Sequence, residues 1–410
     1  MKCMGLHWRN IYSFASISVF NFAFFIPQCA FLIILFPVLV FKAQPKTFKS
    51  GFLLGVLIFG PNMFWIMHVM THHSHAPWWL SVLGYLVVVV YGALTCGAWC
   101  AITKRVPGFV RALSPVGYWI FVEYFFLWPV GIPLGYPFLN PCIPLAQYPC
   151  FLRGVSLIAV LLGNPVQESV VESVVHVPPV WNRVLNTHAP WAQSAQGVGQ
   201  KVYQLLVCND GHYDRASILV SPETMFRFSL NNYSDVVKLL SSALQEDQHW
   251  FLGSVYRCDK KAYQAVYWLQ GERAQESPIK NIYVKKVLMP FAEYTPRLWR
   301  WTNGLQEQCL GVSDGFYVPT GILGIEFFDV TPTQRIVPRI CLEFFLANSF
   351  TEFRRYQESR KNIVVYAFIN DSWYPEIFRQ WMRGCAALKA SLANVPVVMI
   401  GHFECCCFRP

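Results

Sequence analysis

The sequence predicts a two-part fold, a multi-pass α-helical membrane bundle followed by a layered α/β domain. Three observations predict it. Residues 11–103 carry Lys42, Lys46 and Lys49 as their only charged groups and no Asp or Glu. The N-terminal part holds successive apolar runs of the length that crosses a bilayer, about 20 residues. From about residue 200 charges return at ordinary density, and short apolar runs alternate with amphipathic ones, the pattern of strands mixed with helices. Over the 410 residues only 14% are charged while 54% are hydrophobic, against about 25% charged in an ordinary soluble domain.

The apolar stretch 11–41 exceeds one span and is divided by Pro27, so two short spans in a tight hairpin are expected there. Further spans are expected over 51–70, 79–102 and 112–130, and a sixth over 143–163. Arg153 lies within that sixth segment, where a centred arginine costs roughly 2.5–3.5 kcal/mol on insertion scales. The basic residues orient the bundle. Lys2 and Arg9 precede the first span, Lys42, Lys46 and Lys49 follow the second, and Lys104, Arg105 and Arg111 follow the fourth. An N-terminus inside the cell follows from this bias. Six crossings return the C-terminal domain to the cytoplasm, and five leave it outside. His72, His73 and His75 read as a polar interfacial loop rather than a metal site, because no carboxylate or fourth ligand lies nearby in the sequence. Glu123, inside an apolar span, reads as a hydrogen-bonding group between helices or a functional one.

The net charge of +10 does not imply nucleic-acid binding. The basic residues flank hydrophobic spans and form no stripe interleaved with aromatics. The 14 cysteines include no CxxC pair, which argues against a zinc ribbon or a thioredoxin-like motif.

Residues 164–200, with Pro165, Pro178, Pro179 and Pro190, read as a linker. The domains are therefore expected at 1–163, 164–200 and 201–410. In the last, KVYQLLVCN, ASILVSPE, HWFLGSVYR, AYQAVYWLQ, NIYVKKVLM, IVPRICLEF, NIVVYAFIND and VPVVMIGHF read as strands. SDVVKLLSSALQE and EIFRQWMRGCAALKASLAN have the helical period. The terminal ECCCFRP reads as an incidental tail rather than a metal-binding or acyl-carrying one.

Three strand ends carry candidate chemistry: Glu223 after SILVSP, Lys285 in NIYVKK and Cys341 after IVPRI. Layered folds present their reacting groups at such positions. A thiol is a nucleophile as the thiolate. A carboxylate can take its proton, and a lysine ammonium can stabilise the thiolate and the oxyanion of a tetrahedral intermediate. Each residue alone is weak evidence, since a cysteine after a strand is commonly a core residue. Their order and surroundings carry the weight.

With those motifs the chain resembles the apolipoprotein N-acyltransferases, membrane members of the nitrilase (carbon-nitrogen hydrolase) superfamily. The motifs are Ser221-Pro222-Glu223, Lys285 followed by Pro290-Phe291-Ala292-Glu293, Cys341-Leu342-Glu343 and Asn370-Asp371-Ser372-Trp373. In the membrane half, GFLLGVLIFGPNMFWI and WIFVEYFFLWPVGIPLGYP are similar to the family's spans. Departures are Ala292 for Gly, Leu342 for Tyr, Ser221 for Trp, Tyr263-Gln264-Ala265 for Tyr-Asn-Ser, and a C-terminal end shorter than the family pattern.

The resemblance implies an α-β-β-α sandwich for the C-terminal domain, a Glu223-Lys285-Cys341 triad, Glu293 and Glu343 as supporting carboxylates, and Trp373 at the substrate entrance. It implies a phospholipid as acyl donor, a diacylglyceryl-cysteine lipoprotein as acceptor, and neither metal nor organic cofactor. It places the chain as a monomer in the bacterial inner membrane, with the catalytic domain on the periplasmic side. Two other expectations stand beside it, a membrane-tethered nitrilase-type amidase and a catalytically decayed relative.

Overall fold

The computed structural model describes residues 11–19, 21–22, 35–43, 47–72, 77–107, 114, 118, 174–177, 195–207, 217–226, 228–259, 261–271, 277–288, 326–345, 362–374 and 376–409. They fall into two compact units, one of N-terminal helices and one built on β-sheets.

The helical unit contains α1 (Leu35–Ala43), α2 (Phe48–Met63), α3 (Trp65–His72) and α4 (Trp78–Thr103), besides a helical segment over 11–19. Helix α2 opens with a capping box: Ser50 N donates to Thr47 Oγ1 at 3.1 Å, and Thr47 N to Ser50 Oγ at 3.2 Å. The box satisfies donors that a helix start leaves open. Pro61 lies inside α2, and past it α3 departs at 47°. A proline removes one helical hydrogen bond and crowds the preceding turn, which accounts for the bend. The 26 residues of α4 are roughly 39 Å long at about 1.5 Å per residue, enough to cross a hydrocarbon core of about 30 Å.

Of the expected spans, α4 matches 79–102, and the bent pair α2–α3 covers 51–70. Among the described residues α4 alone is long and apolar enough to cross a membrane, with the bent pair as a second if it counts as one span. The expected spans over 112–130 and 143–163 lie almost wholly outside the described residues, as does Glu123.

Helices α2 and α4 meet through small residues. A side chain added at Gly55 would sit 2.6 Å from Ala93 Cα, and one at Gly51 would meet Cys100 and the Cys96 carbonyl. Gly92, Ala93, Cys96, Gly97 and Cys100 form the buried stripe of α4. Close backbone approach through small residues is how helices associate where no water drives them together. Elsewhere on α4, Leu83, Leu86, Val87, Val90, Leu94 and Ile102 are exposed, with exposed Trp78 and Trp79 at one end. Gly55→Val is expected to force the two backbones apart and lower the melting temperature in detergent. Gly60→Ala, whose added carbon meets nothing closer than Tyr85 Oη at 3.5 Å, is expected to leave it unchanged or raised.

The second unit holds two five-stranded sheets. The first contains β1 (Val174–His176), β2 (Ile218–Ser221), β3 (His249–Cys258), β4 (Lys261–Gln270) and β5 (Ile279–Val284), in the order β1-β2-β3-β4-β5. The second contains β6 (Phe328–Thr331), β7 (Gln334–Ile340), β8 (Asn362–Phe368), β9 (Val397–Ile400) and β10 (Cys405–Phe408), in the order β10-β9-β8-β7-β6. Helices α5 (Ala195–Val207), α6 (Ser234–Ser242) and α7 (Leu342–Phe345) complete it together with the C-terminal part of α8 (Glu376–Ala393), whose residues up to Cys385 group with the helical unit.

Period-two alternation explains the layers. Ile218, Val220, Phe251, Val266 and Tyr283 of the first sheet share one core with Ile336, Ile340, Tyr366, Phe368, Val398 and Ile400 of the second. The opposite parity, Leu219, Trp250, Leu252, Tyr267, Leu269 and Val284, packs with Val202 and Leu206 of α5 and Val236, Val237 and Leu240 of α6. On the far side of the second sheet Val337, Val365, Ala367, Val397 and Met399 are also buried, as are Ala386, Ala390 and Ala393 of α8. The unit is an α-β-β-α sandwich.

Three expectations change. Of KVYQLLVCN, expected as a strand, the described residues 201–207 are the second half of α5. Val198, Val202 and Leu206 recur every four residues and face the core, and that period overrides the β-branched composition. The segment 164–200, expected as a linker, supplies β1, parallel to β2, and the start of α5. The terminal cysteines are not an incidental tail: Cys405–Phe408 pairs antiparallel with β9. Burial, with the neighbouring thiols adding, pushes the Cys405 thiol up to about 12, so it stays protonated at neutral pH.

On β3, the half-buried His249 accepts the Trp268 Nε1–H on Nδ1 at 3.2 Å, which fixes the neutral ring with its proton on Nε2. Burial holds the His249 pKa below its usual 6.5, with Asp247 pulling the other way. Because the folded value is depressed, this stability is complete above the unfolded pKa of about 6.5. It is lost as the pH falls from there through the folded value. The melting temperature is expected to decline on acidification below that point, with a shallower decline in His249→Gln.

Candidate active site

Strands β7, β8 and β9 run parallel and end level: Ile340 pairs with Phe368, and Phe368 with Ile400. In the facing sheet β2 ends at Ser221 and β5 at Val284. The candidate residues follow directly, Glu223 after β2, Lys285 after β5 and Cys341 after β7.

Glu223 sits in a tight turn whose next residue, Thr224, is left-handed at φ 55°. The turn lies against β3, where a side chain on Gly253 would reach 2.3 Å from the Pro222 carbonyl and 2.7 Å from Glu223 Cα. Glycine is therefore required at that point of β3. The Glu223 carboxylate is buried and fully engaged. Oε1 accepts from Lys285 Nζ at 2.9 Å, and Oε2 from the backbone N–H of Asn370 at 3.1 Å. Lys285 is 1% exposed. Its own N–H stays in the ladder, donating to the Gln264 carbonyl at 2.8 Å. A buried carboxylate and ammonium hold each other in place, since neither can tolerate the loss of its partner.

Cys341 is the first residue past β7, buried, with φ 48°. Its N–H donates to the Phe368 carbonyl at 2.7 Å, and its carbonyl accepts from Phe344 N at 3.1 Å, opening α7. A non-glycine residue held in the left-handed region costs of order 1 kcal/mol or more, and such strain concentrates at functional sites.

Glu343 binds the two sheets at this end. Its Oε1 accepts from the backbone N–H groups of Lys286 and of Val287, the latter at 2.9 Å. Its Oε2 accepts from Ile340 N at 3.0 Å and Tyr283 Oη at 2.8 Å. One carboxylate thus grips the residue after Lys285 and the residue before Cys341. It acts on the backbone around these groups.

Asn370 also donates from Nδ2 to Thr224 Oγ1 at 3.1 Å, and Ser372 Oγ donates to Asn370 Oδ1 at 2.5 Å. Sequence reasoning places Asn370 and Asp371 within a motif but gives them no role, and it passes over His402. The missed signal is the rule that finds the others: His402, next to last in VPVVMIGHF, lies just past a strand. Glu293 lies outside the described residues, and Trp373 is described in its backbone alone, in the short 3-10 turn Asp371–Trp373. Among the described residues no group of three or more His, Cys, Asp or Glu is placed to hold a metal ion.

The α-β-β-α domain therefore gathers a buried carboxylate-ammonium pair and a strained strand-end cysteine at one end of its sheets, a constellation suited to covalent acyl transfer. Residues 11–164 match the family model described as the apolipoprotein N-acyltransferase N-terminal domain. Two solved structures are weakly similar. A glutamine-dependent NAD(+) synthetase from Cytophaga hutchinsonii aligns at 11% identity with a TM-score of 0.31, over 56% of this chain and 34% of its own. A CN-hydrolase superfamily protein from Xanthomonas campestris, solved with an arsenic adduct in its active site, aligns at 14% identity with a TM-score of 0.31, over 56% of this chain and 72% of its own. The chain thus spans about a third of the synthetase. No curated protein matches it.

Proposed function

We propose that this chain is a membrane-embedded N-acyltransferase that moves a fatty acyl group from a phospholipid to the N-terminal amine of a diacylglyceryl-cysteine lipoprotein. One observation carries the proposal: the buried Glu223–Lys285 pair is tied through Glu343 to the strand end bearing Cys341. It gains its substrate class from the match of residues 11–164 to an acyltransferase N-terminal domain.

In the first half-reaction Cys341 Sγ attacks the ester carbonyl carbon, and its proton passes to Glu223. Lys285, whose ammonium donates to Glu223, stabilises the oxyanion. The ester C–O bond breaks, Glu223 returns the proton to the leaving alkoxide, and a lysophospholipid departs from a Cys341 thioester. In the second, the α-amine attacks the thioester carbonyl, Glu223 takes the amine proton, and the C–S bond breaks. The proton then returns to the Cys341 thiolate. Glu343 keeps the backbones around Lys285 and Cys341 in register, while the family resemblance assigns Glu293 the part of a supporting carboxylate and Trp373 a place at the substrate entrance. The helical unit sits as a multi-pass bundle in a bacterial inner membrane, its exposed Leu and Val face on α4 toward lipid, with the sandwich on the periplasmic side.

The test is turnover. Detergent-purified protein with phospholipid and a diacylglyceryl lipopeptide should yield the N-acylated lipopeptide and lysophospholipid in equal amounts. Hydrolysis of small amides with no lipopeptide product would replace the proposal with the amidase. Inertness of folded protein toward both would leave the decayed relative.

A further inference from the structure

A third strand end reaches the Glu223 turn, at its backbone carbonyl rather than its carboxylate. His402, two residues past β9, is 2% exposed, and its Nε2 lies 2.7 Å from the Glu223 backbone carbonyl. A carbonyl only accepts, so Nε2 carries the proton and donates. His402 is itself held, because its backbone N–H donates to Asp371 Oδ1 at 2.5 Å and Asp371 is 2% exposed at the end of β8. The same carbonyl of Glu223 takes the Thr224 hydroxyl at 2.7 Å. The turn carrying the carboxylate is thus fixed from β9 by His402 and from β8 by Asn370, while Lys285 holds the carboxylate from β5.

We propose that His402 is a positioning residue for Glu223. Its Nε2–H, aimed by the backbone bond to Asp371, locks the left-handed turn at Thr224 and thereby the direction in which the Glu223 carboxylate accepts a proton. Removing the imidazole leaves the Glu223 carbonyl one buried donor short, and the turn can then rotate without breaking the strands. Among the described residues the charged groups at the ring are Asp371, past β8, and Glu223, past β2, with Lys285, past β5, reached through Glu223. This inference rests on the assignment of Glu223 as the base that takes the Cys341 proton.

The test uses the full chain in detergent and follows alkylation of the Cys341 peptide by iodoacetamide against pH, read by mass spectrometry. In His402→Met the rate at neutral pH should fall about tenfold, the effect of one lost buried hydrogen bond, and its pH midpoint should move upward. His402→Gln, whose side-chain amide can still donate, should restore both. A wild-type profile in folded His402→Met overturns the inference. Glu223→Gln separates the two claims: a shifted profile there with none in His402→Met defeats the positioning role alone, and no shift in Glu223→Gln defeats the base assignment and the inference with it. Should His402→Met not fold, the ¹⁵N spectrum of the wild-type ring decides. A proton on Nε2 at neutral pH supports the inference, and a neutral ring protonated on Nδ1 overturns it.

Discussion

Lys285→Met is expected to lower the stability of the α/β unit by about 3–5 kcal/mol, the cost of stranding a buried carboxylate without its partner. Acyl transfer should fall below detection. Both side chains of the pair are almost fully enclosed, at 0% and 4% exposure, so water cannot replace the lost ammonium. The paired replacement Glu223→Gln with Lys285→Met removes both charges and is expected to recover much of the stability while remaining inactive. Thermal melting in detergent beside the acyl-transfer rate checks both statements. Equal destabilisation by the single and the double variant would mean that the pair is not the source of the effect.

The second large effect is expected at Glu343. In Glu343→Leu the N–H groups of Lys286, Val287 and Ile340 and the hydroxyl of Tyr283 all lose their acceptor. At about 1–3 kcal/mol for each buried unsatisfied group, reached in full by Ile340 N and Tyr283 Oη and in part by the half-buried N–H groups of Lys286 and Val287, the loss is a large share of a domain stability of about 5–15 kcal/mol. The folded sandwich should not accumulate. Glu343→Gln keeps one carbonyl oxygen but turns an NH₂ group toward donors, and should cost about 2 kcal/mol. The register between the Lys285 and Cys341 strand ends loosens with it. The turnover number should drop while KM for the lipopeptide holds, and both are measured on the purified variant.

Much of the site is legible in the amino-acid sequence because it follows one local rule. Glu223, Lys285 and Cys341 each follow a short apolar strand, and period-two alternation gives those strands away. Glu343 is recognisable there as a carboxylate near the nucleophile. Its grip on Lys286, Val287 and Ile340 is not, because those donors are separated in sequence and meet only when the sheets pack. The same holds for His402, whose partner Glu223 follows a strand of the other sheet.

The errors have equally local causes. Val202, Tyr203, Leu205, Leu206 and Val207 have the composition of a strand, and only the four-residue recurrence of Val198, Val202 and Leu206 reveals α5. Cys405, Cys406 and Cys407 look like a tail by composition, yet small apolar side chains suit the pleat beside β9. In the helical unit, apolar length identifies α4. The break after Pro61 in α2 turns one expected span into two helices.

The central claim is that Cys341 carries the acyl group. The most direct measurement is mass spectrometry of the detergent-purified protein after incubation with phospholipid, beside Cys341→Ala. The predicted result is an acyl-chain mass increment on the peptide containing Cys341, absent from the variant and discharged when a lipopeptide amine is added. Folded protein with no increment at Cys341, or with an increment that survives Cys341→Ala, would contradict it.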